Sequence, residues 1–311
     1  MRIVRLVLLP AVLVLLVSCG GGNGSTGPGA LKIEKWPPSG DNQTDTVGQT
    51  LPKVLRAKVT VDGQVAAGHM VHFDGGDLGT DSMVTGSDGI ATSSWTLSGQ
   101  VGTQFVTVTL DGATGSPLVY HATAVTGAAA VLNYVSGDGQ IVGSNAFFFS
   151  PLVGRVVDQF GNGVAGRWVH FTRTGPVVLG ADSILTGTQG DYSLNVQGSA
   201  STGNATITAN AGALVGSPLL YHATVVDTIV SVDLSDTTYS PANVTIPAGS
   251  AVRWVWSLGT HTVTPDTPGP IVGTADFTSP HIYGPVIFDT AGVYTYHCTV
   301  HAGMTGTITV N

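Results

Sequence analysis

Short runs in which apolar and polar residues alternate occupy most of the chain, as in Leu55 to Val61 and Val106 to Leu110, and Asp-Gly, Gly-Asn-Gly and Ser-Asp-Gly separate them. A period of two marks half-buried strands, and the punctuating residues mark the turns between them. No stretch of useful length carries the apolar period of an amphipathic helix, so the pattern predicts an all-β protein. It also places individual side chains, because successive residues of a strand face opposite ways. His72 and His170 sit between Val71/Phe73 and Val169/Phe171 and so point to the outer face. Towards the C-terminus, Val244 to Val255 holds two strands around the Pro247-Ala248-Gly249 turn, with Val252, Trp254 and Trp256 on one face of the second. In Val293 to Cys298, Tyr294, Tyr296 and Cys298 share a face while His297 points the other way.

The strands fall into an internal repeat. Gly68-His69-Met70-Val71-His72-Phe73 returns as Gly166-Arg167-Trp168-Val169-His170-Phe171, and the nine residues from Gly115 to Thr123 return from Gly216 to Thr224. The offsets of 98 and 101 residues match a β-sandwich of roughly 100 residues. His121 and His222 hold equivalent repeat positions and are read as structural. From Asp227 the pattern changes, and residues 228–311 have no counterpart earlier in the chain.

Composition agrees with short strands joined by turns: 43 Gly and 16 Pro in 311 residues, with Val, Thr and Ser abundant and only 10% charged. The net charge of −8 becomes −10 once Arg2 and Arg5 are removed with an N-terminal segment. There is no basic cluster, so nucleic acid is excluded as a partner.

Met1 to Ser18 reads as a signal peptide, with Arg2 and Arg5 ahead of an apolar run from Leu6 to Val17. That run is too short to span a bilayer core, which takes roughly 20 residues. Leu16-Val17-Ser18-Cys19 resembles the lipobox of bacterial lipoproteins, which implies a lipidated Cys19 at the mature N-terminus and a membrane anchor. Gly20 in place of Asp at the next position implies the outer membrane, on its periplasmic or cell-surface side. Gly20 to Gly29 cannot bury apolar surface and reads as a flexible tether.

Of the two cysteines, Cys298 has a different setting. Cys298, His301 and Met304 lie at i, i+3 and i+6 on one tight loop, so a thiolate, an imidazole and a thioether can reach a single ion. That set suits copper, whose mononuclear blue sites use two His, one Cys and a weak, long axial Met. His261, in Gly-Thr-His-Thr-Val, is the candidate for the second imidazole. His281 has no partner at metal spacing and is left as structural.

Two resemblances follow from these residues. Val156 to Gly166, with the Val169/Phe171 strand after it, resembles the bacterial Ig-like domains of invasin- and intimin-type surface proteins, and the likeness extends over both repeats. Tyr239 to Gly249, then Val252-Arg253-Trp254, His261-Thr262-Val263 and Gly292 to Cys298 with His301 and Met304, resemble the cupredoxins, in particular the plastocyanin- and amicyanin-like proteins. The Cys-x2-His-x2-Met spacing is similar to the short ligand loop of amicyanin. The second resemblance implies one type 1 copper ion held by His261, Cys298, His301 and Met304, and a backbone N–H of Thr262 donating to the Cys298 sulfur. Many relatives have Asn at that position.

The expected organisation is therefore a lipoprotein signal peptide (residues 1–18), a lipidated cysteine with its linker (19–30), two Ig-like β-sandwiches (31–126 and 127–227) and a Greek-key cupredoxin unit (228–311). The expected function is a membrane-tethered, non-enzymatic electron carrier. Multicopper oxidases need His-x-His pairs, which this chain lacks, and Met304 closes the coordination position that turnover would need. The alternative is a surface adhesion or copper-handling lipoprotein in which the copper unit is accessory. The C-terminal unit carries Asp233, Asp236, Asp266, Asp276 and Asp289 against Arg253. That balance points to a basic redox partner, with a c-type cytochrome or a terminal oxidase as donor or acceptor.

Overall fold

The computed structural model describes residues 29–311. The expected signal peptide, the expected lipidation site at Cys19 and most of the expected linker lie outside the described residues. Every regular element among the described residues is a β-strand, so the all-β expectation holds.

The described chain forms two compact units. One holds the residues up to Gly40 with Lys53–Ser94 and Val106–Tyr120; the other holds Asp41–Pro52, Trp95–Phe105 and His121–Asn311. In the first unit, Leu31–Lys35 runs antiparallel to Leu55–Val61, which also pairs with Ile90–Ser93. Met70–Asp74 lies between Ser82–Val84 and residues 107–109. Alternation decides what is buried. Val71 and Phe73 enter the core while Met70, His72 and Asp74 stay outside, and Leu55, Ala57 and Val59 are fully buried.

In the second unit, residues of the second repeat build a three-stranded sheet (Val131–Ser136, Leu152–Val157, Asp191–Leu194). A five-stranded sheet holds Gln140–Gly143, Leu219–Val226, Gly203–Asn210, Trp168–Thr174 and Ser183–Leu185. Their inner faces supply one apolar core. Tyr192 and Tyr221 share a hydrogen bond of 2.9 Å inside it, and the Tyr221 hydroxyl also donates to the Val153 carbonyl. The repeat histidines have ordinary structural roles. The backbone N–H of His121 donates to Asp41 and that of His222 to Asp138, and both rings are exposed.

Residues 228–311 contribute two four-stranded sheets. One orders Thr238–Ser240, Ile229–Ser235, Ser250–Trp256 and His281–Phe288; the other orders Asn243–Ile246, Thr305–Val310, Gly292–His297 and Thr264–Pro265. The two strands expected around Pro247-Ala248-Gly249 form, but in opposite sheets. The connection crosses the sandwich instead of closing a hairpin, turning at Gly249, whose φ of 83° suits glycine. Each then meets a parallel neighbour: Asn243–Ile246 pairs with Thr305–Val310, and Ser250–Trp256 with Ile229–Ser235. Val252, Trp254 and Trp256 are buried while Arg253 and Val255 are less so, as the alternation requires. The core closes on Tyr239, Trp254, Trp256, Phe288, Tyr296, Cys298 and Met304.

Candidate metal centre

The strand Gly292–His297 delivers Cys298 at its inner end, and the chain turns back at once. The Cys298 N–H donates to the Met304 carbonyl at 3.0 Å and the Met304 N–H to the His301 carbonyl at 3.3 Å, so residues 298–304 form a closed loop. Cys298 and Met304 are buried beside each other's strands in the core, and His301 is half-buried. His261 arrives from the short Thr260–His261 strand and is fully buried.

The ligand atoms of His261, Cys298 and His301 all lie within 4.8 Å of one another. The Cys298 sulfur is 3.6 Å from His301 Nδ1, and the two imidazole centroids are 4.7 Å apart. Among the described residues this is the one cluster of three such ligands. His261 Nε2 meets the Leu258 carbonyl at 2.7 Å, which assigns the ring proton to Nε2 and leaves Nδ1 as a lone pair. That Nδ1 is buried with no hydrogen-bond partner. An unsatisfied buried polar atom costs about 1–3 kcal/mol, and a cation beside the thiolate removes that cost. A donor set of two imidazoles, a thiolate and a nearby thioether fits copper.

Surrounding groups fix the ligands. The Trp256 indole N–H donates to the His261 carbonyl at 3.0 Å, and the Tyr239 hydroxyl donates to the Thr262 carbonyl at 2.6 Å. Gly259 has a φ of 82°, and a Cβ there would stand 3.2 Å from His261 Nε2, so the approach of the Leu258 turn requires glycine. The Thr262 N–H points at the Cys298 sulfur at 3.4 Å, as the sequence resemblance implied. The Thr262 side chain adds what the sequence left open. Its hydroxyl accepts from the Thr299 N–H at 2.9 Å and lies 3.2 Å from the Thr299 hydroxyl, tying the His261 segment to the ligand loop.

The remaining histidines of this unit stay outside the cluster. His297 points away from the Cys298 face and pairs with Asp266 at 2.6 Å. His281 stacks on Phe277 with centroids 3.8 Å apart and meets the edge of Trp256. Phe277 is the strand partner of His261, so these rings wall the buried imidazole. Sequence reasoning missed Tyr239, Trp256 and Leu258 as supports of His261. The pattern marked Trp256 as inward-facing, but nothing in it assigned the indole to a carbonyl. Burial, and then the charge of nearby Cys298, push the Tyr239 phenol well above its ordinary pKa. Burial pushes the Tyr296 phenol up to about 12, with the neighbouring Trp254 N–H offsetting part of the rise. Neither the Trp254 N–H nor the Tyr296 hydroxyl makes a hydrogen bond of normal geometry.

Residues 226–311 match the family model for copper binding proteins of the plastocyanin/azurin family. With that match, His261, Cys298 and His301 are positioned to form a type 1 copper site. No curated protein matches the sequence. Among solved structures, a purple cupredoxin from Nitrosopumilus maritimus is 21% identical over 26% of this chain and 99% of its own, with a TM-score of 0.23. A mutant amicyanin in its reduced Cu(I) form is 25% identical over 27% of this chain and 82% of its own, with a TM-score of 0.24. The D0-D1 domain of intimin is 18% identical over 62% of this chain and 94% of its own, also with a TM-score of 0.24.

Proposed function

We propose that the C-terminal unit is a one-electron carrier, held at a membrane through a lipid on Cys19 and set apart from it by the two repeats. The observation that carries this reading is the buried, unpartnered Nδ1 of His261, gathered with the Cys298 sulfur and His301 within 4.8 Å. A bound copper ion supplies a reversible one-electron couple. Every other part of the task falls to the chain. Full burial of His261 and near-full burial of Cys298 keep water from the sulfur. Ties from Trp256, Tyr239 and Thr262 hold the ligand segments in place whatever the charge at the centre, so little rearrangement accompanies electron exchange.

His301 is the one member of the cluster that is not fully buried, and exposed Leu258, Val300 and Ala302 lie on its loop or the adjoining turn. That edge supports exchange with a partner through an apolar contact. Met304, buried on the ligand loop, would close the coordination position that turnover needs, and on that ground the unit is read as a carrier. The partner is read as a basic redox protein, with a c-type cytochrome or a terminal oxidase as candidates, and the location as the outer membrane.

Addition of Cu(II) to the purified protein tests the centre. An intense blue thiolate-to-copper absorption is expected, absent in Cys298→Ser. A colourless or pale product from the unaltered protein would overturn the assignment.

A further inference from the structure

We propose that the aromatic core behind Cys298 forms a radical-draining route, running through Tyr296 and Trp254 to Tyr283, that carries an oxidising equivalent from the sulfur to the surface. The route rests on the reading of Cys298 as a redox-active ligand, and it does not pass through His301. Tyr296 stands two residues before Cys298, in the strand that ends at His297, and both are buried in the same core. Its ring centroid is 5.5 Å from that of Trp254 at 88°, and Trp254 lies 5.4 Å from Tyr283 in a stacked pair at 27°. A branch joins from the other side of the sulfur. The Thr262 N–H points at Cys298 Sγ, the Thr262 carbonyl accepts from Tyr239, and Tyr239 is 4.8 Å from Tyr296. Four oxidisable rings are thus in edge or face contact in series.

The protonic surroundings give the series a direction. A phenol or indole radical cation is trapped where it loses its proton. The Tyr296 hydroxyl and the Trp254 N–H are buried without a partner to receive one. Tyr283 is different. It is half-buried, and its hydroxyl oxygen accepts from the N–H of the exposed Val272 at 3.1 Å, which leaves its own proton free for water.

The balanced step has two halves. A one-electron oxidant of the peroxide-derived radical class takes an electron from the Cys298 thiolate and leaves a thiyl radical. Tyr283 then returns one electron through Trp254 and releases its hydroxyl proton to water, which restores the thiolate and leaves a Tyr283 phenoxyl radical at the surface. An external thiol gives that radical a hydrogen atom. Without such a drain, the thiyl would combine with dissolved dioxygen, which supplies the oxygen atoms and the further oxidation to sulfinic and sulfonic acids. Cys298 is the free cysteine of the described residues, so among them no second thiol can rescue it as a disulfide.

The test uses the purified protein, copper-loaded and copper-free, exposed to photogenerated tris(bipyridine)ruthenium(III). Expected for the unaltered protein is a tyrosyl radical by electron paramagnetic resonance, with oxidation products mapping to Tyr283 by mass spectrometry. Tyr283→Phe should lose that signal and convert Cys298 to sulfinic and sulfonic acids severalfold faster, as should Trp254→Phe. Tyr134→Phe, at an exposed tyrosine of the second repeat, should change neither. Equal rates of Cys298 oxidation in the unaltered protein and Tyr283→Phe would overturn the route. Blue absorbance read on the same samples separates the two ideas: its absence counts against the copper centre, while the copper-free arm still decides the route.

Discussion

Each ligand at the centre depends on a neighbour that has no metal-binding character of its own. Thr262 is the clearest case, because its backbone N–H serves the Cys298 sulfur while its hydroxyl accepts from the Thr299 N–H. Thr262→Val keeps the first contact and the volume but strands the Thr299 N–H in a part-buried position. The expected cost is about 1 kcal/mol, read as a lower urea midpoint, with copper lost more readily from the folded protein. Thr262→Ser should restore most of both. Full stability and copper retention in Thr262→Val would mean that the hydroxyl does not tie the loop. At this scale Cys298 and His301 could be picked out from their spacing on one loop, and the structure gathers them with His261. Their supports could not be, because Tyr239 and Trp256 act through carbonyl groups whose positions depend on the tertiary fold.

At the scale of elements, alternation placed side chains better than it placed connections. Val252, Trp254 and Trp256 face inward and His297 faces outward as the period of two requires, yet the Pro247-Ala248-Gly249 turn crosses between sheets. Turn residues fix a local bend, whereas the choice of sheet is made by long-range pairing with Ile229–Ser235 and Thr305–Val310. The Asp-Gln-Phe-Gly-Asn-Gly turn of the second repeat carries a further consequence. Asp158 is 1% exposed and its carboxylate accepts from the N–H groups of Gly127, Phe160 and Asn162 and from the Asn162 side chain. Burial alone would raise its pKa, but these hydrogen bonds outweigh it and hold the carboxyl below its ordinary value. A carboxyl lowered in the folded state stabilises above its unfolded pKa of about 4, and the contribution is lost as pH falls through the folded value. Asp158→Asn should therefore lower the urea midpoint at pH 7, and the gap from the unaltered protein should narrow below about pH 4. A gap that is the same at both pH values would show that the charge of Asp158 contributes nothing.

At the scale of the whole molecule, charge and attachment separate. The five acids against one arginine set the field a partner meets; Asp266 is held by His297 and Asp233 by Ser257, contacts that fix the carboxylates in place. Apolar surface near His301 supplies the contact, and the acids supply the field around it. Attachment rests on a different residue. If Cys19 is lipidated and Met1 to Ser18 removed, Cys19→Ala should block both steps, and the outcome depends on what the apolar run from Leu6 to Val17 does when it is retained. A run shorter than the roughly 20 residues needed to span the hydrocarbon core anchors poorly. The variant is therefore expected to move substantially from the membrane to the soluble fraction, whereas Cys298→Ser stays with the membrane but loses its colour. Copper binding should follow the opposite division: Cys19→Ala remains blue, since no residue of the described cluster lies near the N-terminal segment in sequence. A Cys19→Ala protein found wholly in the membrane fraction would assign attachment to the Leu6–Val17 run instead, and would leave the copper centre untouched.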